Sequence, residues 1–515
     1  MTYSSLPPHI AAAFDPKLFR AAGERLVAQL SSHLEQVESG QSPVLPWVNP
    51  ADQVTAASEW MHQYDFSESR LGNQDVSGLV DRFAEIVQIA LERGNHLHHP
   101  HYVGHQVPAS VPLAGLFDAI GSVTNQVMAI YEMGPWATAV EHAVTQAIGQ
   151  KIGWKPDTFA GVVTSGASLA NLTALLTARN VTCANVWRQG FADEQTPVLV
   201  AHADAHYSIE RAAGVLGLGT ERVVHIQVDK RRAMDVEHLE HTLSDLRRRG
   251  IPVVAVIAFA CATPIGAFDD LVQVADVCRR HEVWLHVDAA HGGAACMSKK
   301  HRHLLSGLEL ADSVVCDAHK MFFMPALCAL LFYRNPEHRH HTFAQHAPYL
   351  FDPLAEDLVD YDSGLSVFEC TKRAAAYGIW GTWSLFGPNL FAELVDTTFA
   401  TAQEFYELLE KAEDFEVQYR PECNIVAFRY LPRQTQNMTT DEVNRLQFLV
   451  RRQVVESGSY YLVASQLDGQ SVMRTTIINP LTTRDHLVGL LDEIRSQGQV
   501  VLDGQANVDR SFISE

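Results

Sequence analysis

The sequence lacks several features that would place it in whole classes of protein. Positive charge is scarce, with 39 lysines and arginines against 60 aspartates and glutamates and a formal net charge of -21. This deficit argues against a nucleic acid or an anionic membrane surface as partner, because both bind basic surfaces. The longest apolar run, residues 253–262, is too short to cross a bilayer. We therefore expect neither a nucleic-acid partner nor a membrane partner.

The cysteines also show no paired spacing, and we expect no secretory signal. The eight cysteines are scattered and form no CxxC pair, and most lie in apolar surroundings that are typical of small buried hydrophobic residues. Residues 1–8 show neither the basic nor the apolar region of a secretory signal. These features predict a cytoplasmic protein, and 515 residues are enough for two or three domains.

What is present is an alternation of strand-like and helix-like patterns. Apolar runs occur at 160–164, 197–202, 222–228, 252–260, 283–288, 313–317 and 328–333. Helix-like segments such as 168–180, 235–249 and 269–281 lie between several of them. The alternation predicts βαβ units and a mostly parallel central sheet, and continuous apolar runs are typical of strands buried on both faces.

The same patterns predict three regions along the chain. Residues 1–80 read as helical pieces that wrap a neighbour, 81–385 as a large α/β domain, and 386–515 as a smaller α+β domain. In the last region, helices are expected at 391–412, 439–457 and 483–497, and strands at 424–430 and around 473–478.

An acid and a lysine follow two of the apolar runs. One run leads into HVDAAH at 286–291, and another leads into DAHK at 317–320. In an open α/β sheet, ligands bind at the carboxyl ends of the strands. An acid and an amine placed there, Asp288 and Lys320, suit pyridoxal phosphate, since the lysine forms a Schiff base with the cofactor and the acid partners its pyridinium nitrogen.

Two earlier segments fit the same cofactor. TSGAS at 164–168 ends a strand and opens a helix, so its small residues, the helix amides and the hydroxyl of Ser168 suit a phosphate. An ordinary helix cap is the alternative at this position. His206 follows the next strand and would lie flat on an aromatic ring, with a surface or hydrogen-bonded histidine as the alternative.

The order of these segments resembles the group II pyridoxal-phosphate-dependent amino-acid decarboxylases, which act on glutamate, cysteine sulfinate, aspartate, diaminobutyrate or aromatic amino acids. The resemblance runs from about residue 98 to 495 and is densest over 286–330. Other similar segments are YEMGP at 131–135, AHYSI at 205–209, GAFD at 266–269 and YDSG at 361–364. The resemblance implies the aspartate-aminotransferase-like type I fold and a homodimer with its active site at the subunit interface.

The resemblance also implies roles for single residues around the cofactor. Lys320 would bind it covalently, Asp288 would hold the pyridinium nitrogen, and His206 would stack on the ring. The other implied cofactor-binding residues are Ala167, Ser168, Thr263, Ala290 and His319.

Three further residues would act on the substrate. Tyr349 would return a proton to the substrate Cα, Arg474 would bind a substrate carboxylate, and Gln106 would read the substrate side chain. The alternatives are a tyrosine that packs a loop and an arginine that pairs with a neighbouring acid. A histidine-rich segment, 96–105, has a composition found in metal sites, but the resemblance places it near the substrate entrance without a metal, so no metal is expected.

Departures from the glutamate branch leave the substrate open. His291 stands where that branch has tryptophan, Asp317 where it has asparagine, and Ala129 where it has a pocket phenylalanine. The last change suggests a roomier pocket.

The sequence thus predicts α-decarboxylation of a polar or acidic L-amino acid to the amine and CO2. Glutamate, aspartate, cysteine sulfinate and 2,4-diaminobutyrate are candidate substrates. The alternatives are oxidative decarboxylation to an aldehyde, decarboxylation of an aromatic amino acid and, more remotely, a non-catalytic relative that acts as a binding partner. The presence of Asp288, His206 and Lys320 together argues against the last.

Overall fold

The computed structural model describes residues 6–62, 76–183, 185–191, 196–343 and 358–511, with side chains up to residue 504. The chain forms two compact units. The first comprises Met1–Val103, Asn444–Val463 and Leu481–Glu515, and the second comprises Gly104–Val443 and Ala464–Pro480. The three regions expected from the sequence, 1–80, 81–385 and 386–515, stay a prediction.

Helices form close to each of the six predicted positions, and further helices whose positions were not predicted form as well. In chain order they are α1 (Pro8–Ala13), α2 (Pro16–Glu38), α3 (Pro50–His62), α4 (Val76–Glu92), α5 (Pro112–Thr124), α6 (Pro135–Ile152), α7 (Ala167–Thr182), α8 (Val186–Gln189), α9 (Ser208–Val215), α10 (Val236–Arg248), α11 (Leu271–His281), α12 (Tyr377–Phe386), α13 (Asn389–Glu410), α14 (Thr440–Glu456) and α15 (Arg484–Ser511). The last helix continues well past the predicted end at 497. None of these helices combines the length and the apolar character needed to cross a membrane.

Strands form at each of the predicted positions, and four further strands that were not predicted form as well. They are β1 (Val127–Met128), β2 (Ala160–Thr164), β3 (Val198–His202), β4 (Val223–Ile226), β5 (Val253–Phe259), β6 (Trp284–Asp288), β7 (Ser313–Asp317), β8 (Ala329–Tyr333), β9 (Lys372–Arg373), β10 (Phe415–Glu416), β11 (Ile425–Tyr430), β12 (Val463–Leu467) and β13 (Gln470–Thr476).

Among the described residues, seven of these strands form the central sheet in the order β2-β8-β7-β6-β5-β3-β4. The strands β4, β3, β5, β6 and β7 run parallel, and β8 pairs antiparallel with both β7 and β2. The prediction of a mostly parallel sheet is therefore confirmed. Because β3, β5, β6 and β7 are parallel, their carboxyl ends lie along one edge.

Both faces of this sheet are buried, which explains the continuous apolar runs. Alternate residues of each strand enter different clusters. Val314 and Leu330 join one cluster with side chains of α6, α10 and α11. Val315 and Leu331 join the other with side chains of α7 and α9. Helices on both faces of a mostly parallel sheet define an α/β architecture.

A smaller sheet in the order β10-β11-β13-β12 follows. In it β11 and β13 run antiparallel, with Ala427 opposite Arg474. This pairing places Arg474 in the interior of the second unit, where it is 7% exposed.

In the first unit, α2 begins with a common N-capping arrangement. The side chain of Asp15 accepts a hydrogen bond from the Lys17 amide at 2.8 Å, and Pro16 occupies the first helical position. Further along, the side-chain amide of Gln29 donates to the Ala84 carbonyl at 2.9 Å and so joins α2 to α4.

Candidate active site

The carboxyl edge of the central sheet carries the predicted histidine, acid and lysine. Asp288 is the last residue of β6, Lys320 follows β7 by one turn, and His206 follows β3. Burial lowers the pKa of His206, Asp288 opposes this change, and Lys320 adds to it. The His206 ring therefore lies within electrostatic reach of both the acid and the lysine.

Both carboxylate oxygens of Asp288 are held by neighbours. Oδ2 accepts a hydrogen bond from the side-chain amide of Asn171 at 2.7 Å, and Oδ1 accepts one from the backbone N–H of Ala290 at 3.0 Å. Asp288 is buried, with 5% of its surface exposed. These bonds fix the direction of a buried negative charge, as required of a group that pairs with a pyridinium nitrogen.

Asn171 also connects the acid to two histidines, a link that was not predicted from the sequence. Its Oδ1 lies 3.0 Å from Nε2 of His286, and its Nδ2 lies 3.1 Å from Oγ of Ser208. Ser208 Oγ in turn lies 2.9 Å from Nδ1 of His206. Two features of the sequence could have indicated this link. Asn171 follows the phosphate segment by one helical turn, and His286, two residues before Asp288, lies on the same strand face as that acid.

Lys320 contacts a second acid, Asp317. Its Nζ lies 3.2 Å from Oδ2 of Asp317, which is 2% exposed. Burial lowers the pKa of Lys320, but the charges of Asp317 and Asp288 outweigh burial, so the pKa lies above its usual value. The sequence flagged Asp317 only as a departure from the glutamate branch and assigned it no role.

The predicted phosphate segment opens α7. Ala167 is the first helical residue, and its N-cap, Gly166, has a φ of 103°, a conformation that glycine adopts without strain. Among the described residues, no side-chain hydrogen bond caps this helix end. The Leu169 and Ala170 amides bond to the Gly166 carbonyl, so the preceding amides of Ala167 and Ser168 are placed to bind an anion with the helix dipole.

His319 lies beside the lysine pair. Its Nδ1 is 2.9 Å from the Cys328 carbonyl, and its Nε2 is 3.6 Å from Oδ2 of Asp317. In the described part of the chain no hydrogen bond joins His319 to Ser168. Its role beside the cofactor stays a prediction.

Arg474 brings a buried cation to the same region. One guanidinium nitrogen donates to the Thr263 carbonyl at 2.8 Å. Its Nε is buried without a hydrogen-bond partner, and no carboxylate of the described residues pairs with it. Burial lowers the pKa of Arg474. The alternative of a strand arginine paired with a neighbouring acid therefore has no support in this structure.

His291 lies near both Lys320 and Arg474. It is 3% exposed, and its pKa is lowered to about 3 by burial first and then by the charges of these two residues. A hydrogen bond to Asn424, the residue before β11, holds the ring. The strand pattern of β11 gave no sign that Asn424 would reach this region.

Two further predictions concern Gln106 and Tyr349. The side-chain Nε2 of Gln106 is buried without a hydrogen-bond partner, and no hydrogen bond within the described ranges connects Gln106 to Lys320 or Arg474. Tyr349 lies outside the described residues. Their roles stay predictions.

The groups present fit pyridoxal phosphate. The fixed buried carboxylate of Asp288 suits the ring nitrogen of that cofactor, and the partly exposed amine of Lys320 suits its aldehyde. The His206 ring, within electrostatic reach of both, suits the ring face, and the start of α7 suits the phosphate. The α/β fold and this site define a pyridoxal-phosphate-dependent enzyme.

Comparisons with known proteins narrow this class. The family model described as the pyridoxal-dependent decarboxylase conserved domain matches residues 74–431. Acidic amino acid decarboxylase GADL1 of Homo sapiens is 33% identical over 382 residues, covering 73% of each chain. The Mus musculus GADL1 is 31% identical over 434 residues, covering 83% of this chain and 78% of the relative.

Solved structures agree in fold. Mouse CSAD superposes with a TM-score of 0.84 at 25% identity, covering 94% of this chain and 99% of the other. Oryza sativa TDC with PLP and tryptamine superposes with a TM-score of 0.84 at 21% identity, covering 95% and 99%. The chain belongs to the pyridoxal-dependent decarboxylase family. It is a carboxy-lyase that uses pyridoxal phosphate to decarboxylate an amino acid.

Proposed function

We propose that the substrate is an acidic L-amino acid, such as aspartate, glutamate or cysteine sulfinate, which loses its α-carboxyl group as CO2 and leaves as the amine. The observation that carries this proposal is the unpaired guanidinium of Arg474. Its only hydrogen bond to the described residues goes to the Thr263 carbonyl.

Burying a charge without a partner is strongly unfavourable in free energy. A substrate carboxylate would supply the missing partner, because a guanidinium binds a carboxylate through two parallel hydrogen bonds. The name acidic amino acid decarboxylase, given to relatives 31–33% identical to this chain, supports the same substrate class.

The chain's own groups would divide the work as follows. Asp288, held by Asn171 and Ala290, keeps a negative charge in the site. Arg474 binds a substrate carboxylate. The bound cofactor supplies an electron sink for the pair left when CO2 departs. Lys320 would hold the cofactor between turnovers through its amine.

The remaining roles implied by the resemblance are part of the proposal. Ala167, Ser168 and His319 would hold the phosphate, and Thr263 would contact the cofactor. Gln106 would read the substrate side chain, and Tyr349 would return the proton to Cα.

We further propose a homodimer with the active site at its subunit interface. The helix α5 supports a dimer, since it exposes an apolar stripe at helical spacing: Leu113, Leu116, Ile120 and Val123 are 39%, 49%, 45% and 60% exposed. Contiguous exposed apolar surface of this kind is typical of an interaction site. In sedimentation velocity, a double Leu116→Asp, Ile120→Asp variant should become monomeric, whereas Val215→Asp, at an exposed site on α9, should not.

A cytoplasmic location is also proposed. The eight cysteines are all free, although the sulfurs of Cys261 and Cys423 lie only 3.7 Å apart. Free thiols are typical of proteins kept in reducing compartments.

The substrate is tested by supplying the purified holoenzyme with each candidate amino acid. CO2, amine, aldehyde and ammonia are measured for aspartate, glutamate, cysteine sulfinate, 2,4-diaminobutyrate and the aromatic amino acids. We expect the acidic substrates to react fastest and to give amine. A faster reaction with diaminobutyrate or an aromatic amino acid, or aldehyde and ammonia as products, would overturn the proposal.

A further inference from the structure

Asp317 is the carboxylate in direct contact with the catalytic lysine. It ends β7, and its Oδ2 lies 3.2 Å from Lys320 Nζ across a single turn, which the backbone closes with a bond from the Lys320 amide to the Asp317 carbonyl at 3.2 Å. The second oxygen, Oδ1, is buried and has no hydrogen-bond partner in the described part of the chain. One oxygen therefore contacts the lysine, and the other has no competing partner.

Asp288 is less suited to accept a proton from this lysine. Its two oxygens are occupied by Asn171 and by the Ala290 amide. It influences Lys320 through its charge and forms no ion pair with it in the described residues. The two acids thus divide into Asp288, held by Asn171 and the Ala290 amide, and Asp317, which faces the amine.

We propose that Asp317 is the proton acceptor for Lys320. A lysine attacks an aldehyde only as the neutral amine. In the proposed step an N–H bond of the ammonium breaks, its electron pair stays on Nζ, and the proton forms an O–H bond at Oδ2 of Asp317. Once Lys320 is bound to the cofactor, the proton would return from Oδ2 to Nζ, which leaves Asp317 as the negatively charged partner of the cofactor-linked nitrogen. The inference rests on the cofactor and the lysine, and it holds for any amino-acid substrate.

The surroundings favour a shared proton. Burial raises the pKa of Asp317, and Lys320 and His319 only partly offset this. Asp317 and Asp288 together raise the pKa of Lys320 and so favour its protonated form. The neutral amine therefore forms only when an acceptor in contact with Nζ takes the proton. The other titratable groups facing the pair are Asp288, His206, Cys261, His291, Cys316, His319 and Cys328.

The test is a pH titration of the visible absorbance of the holoenzyme without substrate. This absorbance changes when the cofactor-linked nitrogen of Lys320 loses its proton. Asp317→Asn keeps the shape of the side chain and removes its charge, and asparagine is the residue that the resemblance places at this position. We expect the midpoint of the titration to fall by about 1 to 3 pH units, the usual effect of removing an opposite charge at this distance.

Asp276→Asn is the matched control. Asp276 is an exposed acid paired with Arg279 on α11, and its loss should leave the midpoint unchanged. A midpoint that stays at the wild-type value in Asp317→Asn, or one that falls equally in Asp276→Asn, would overturn the proposal. Since no substrate is used, this result is independent of the proposed substrate class.

The wild-type enzyme decides the matter if the Asn variant does not fold. Its midpoint should lie above that of the same cofactor linked to N-α-acetyl-lysine in solution. A midpoint at or below the free value contradicts a carboxylate partner for Lys320.

Discussion

His291 and Asn424 form a buried hydrogen bond that fixes which imidazole nitrogen carries the proton. Nε2 of His291 lies 2.7 Å from Oδ1 of Asn424, whose Nδ2 donates to the Ile477 carbonyl at 2.9 Å. The asparagine oxygen must therefore face the histidine, and Nε2 must be the donor. With its pKa near 3, the ring is neutral, and Nδ1 is a bare acceptor without a partner among the described residues.

Replacing Asn424 by alanine should destabilise the protein. The His291 N–H and the Ile477 carbonyl would both lose a buried partner, which costs about 1–3 kcal/mol for each group left unsatisfied. Urea unfolding measures the change, with Asn437→Ala at an exposed site as the control. Equal stabilities for the two variants would contradict the assigned hydrogen bond.

Replacing Arg474 by glutamine should impair turnover of acidic substrates. Removing one partner of a buried charge pair costs at least about 2 kcal/mol, which corresponds to a fall in kcat/KM of about 30-fold or more. Steady-state kinetics on the best acidic substrate provide the measurement. Arg452→Gln, which removes an exposed arginine paired with Glu456, should retain the wild-type value. An unchanged kcat/KM in the Arg474 variant would exclude a substrate carboxylate at this site.

The stability of the protein should depend on pH through His286. Burial lowers the pKa of His286 from 6.5 to about 4. As the pH falls below 6.5, the unfolded chain takes up the proton first, so the free energy of unfolding falls until the pH reaches about 4. The loss amounts to about 3 kcal/mol, from about 1.4 kcal/mol for each pH unit.

His286→Gln removes this titration. The variant should therefore lose about 3 kcal/mol less than the wild type between neutral pH and the acid end of that range. Urea midpoints at the two pH values give the comparison for each protein. If both proteins lose the same stability, His286 is not the group responsible.

Two glycines in helices should respond to alanine in opposite directions. A Cβ at Gly149 in α6 would lie 2.1 Å from the ring of Phe159, whereas a Cβ at Gly23 in α2 meets no atom within 4 Å. Gly149→Ala should destabilise by about 1–3 kcal/mol through overpacking. Gly23→Ala should stabilise by up to about 1 kcal/mol, because alanine has the higher helix propensity. Thermal unfolding of both variants distinguishes the effects, and a stabilising Gly149→Ala would contradict the packing described.

The sequence predicted the fold in detail because its strands are buried on both faces. Such strands are continuous apolar runs, and the runs at 160–164 and 313–317 coincide with β2 and β7 at both ends. The antiparallel direction of β8 was not predicted, because an apolar run has no direction. The extension of α15 to Ser511 was missed as well.

The site was predicted unevenly. Asp288 and Lys320 could be found because Asp288 ends one apolar run and Lys320 comes three residues after another, and the structure places both at one sheet edge. Asn171 and Asn424 could not be found in this way, since each reaches its partner from a distant part of the chain. Hydrogen bonds of that kind depend on tertiary packing, which periodicity does not encode. The roles of the individual site residues stay predictions.

The hydrogen bonds that run from Asp288 through Asn171 and His286 to Ser313 also bear on how the sheet aligns. His286 and Ser313 are direct partners in the pairing of β6 with β7. A slip of β6 by one residue would turn Asp288 and His286 to the opposite face and leave their buried partners unsatisfied. The groups that hold Asp288 therefore also penalise a misaligned sheet, so the carboxylate proposed to meet the cofactor reaches its place only when β6 and β7 pair in the correct register.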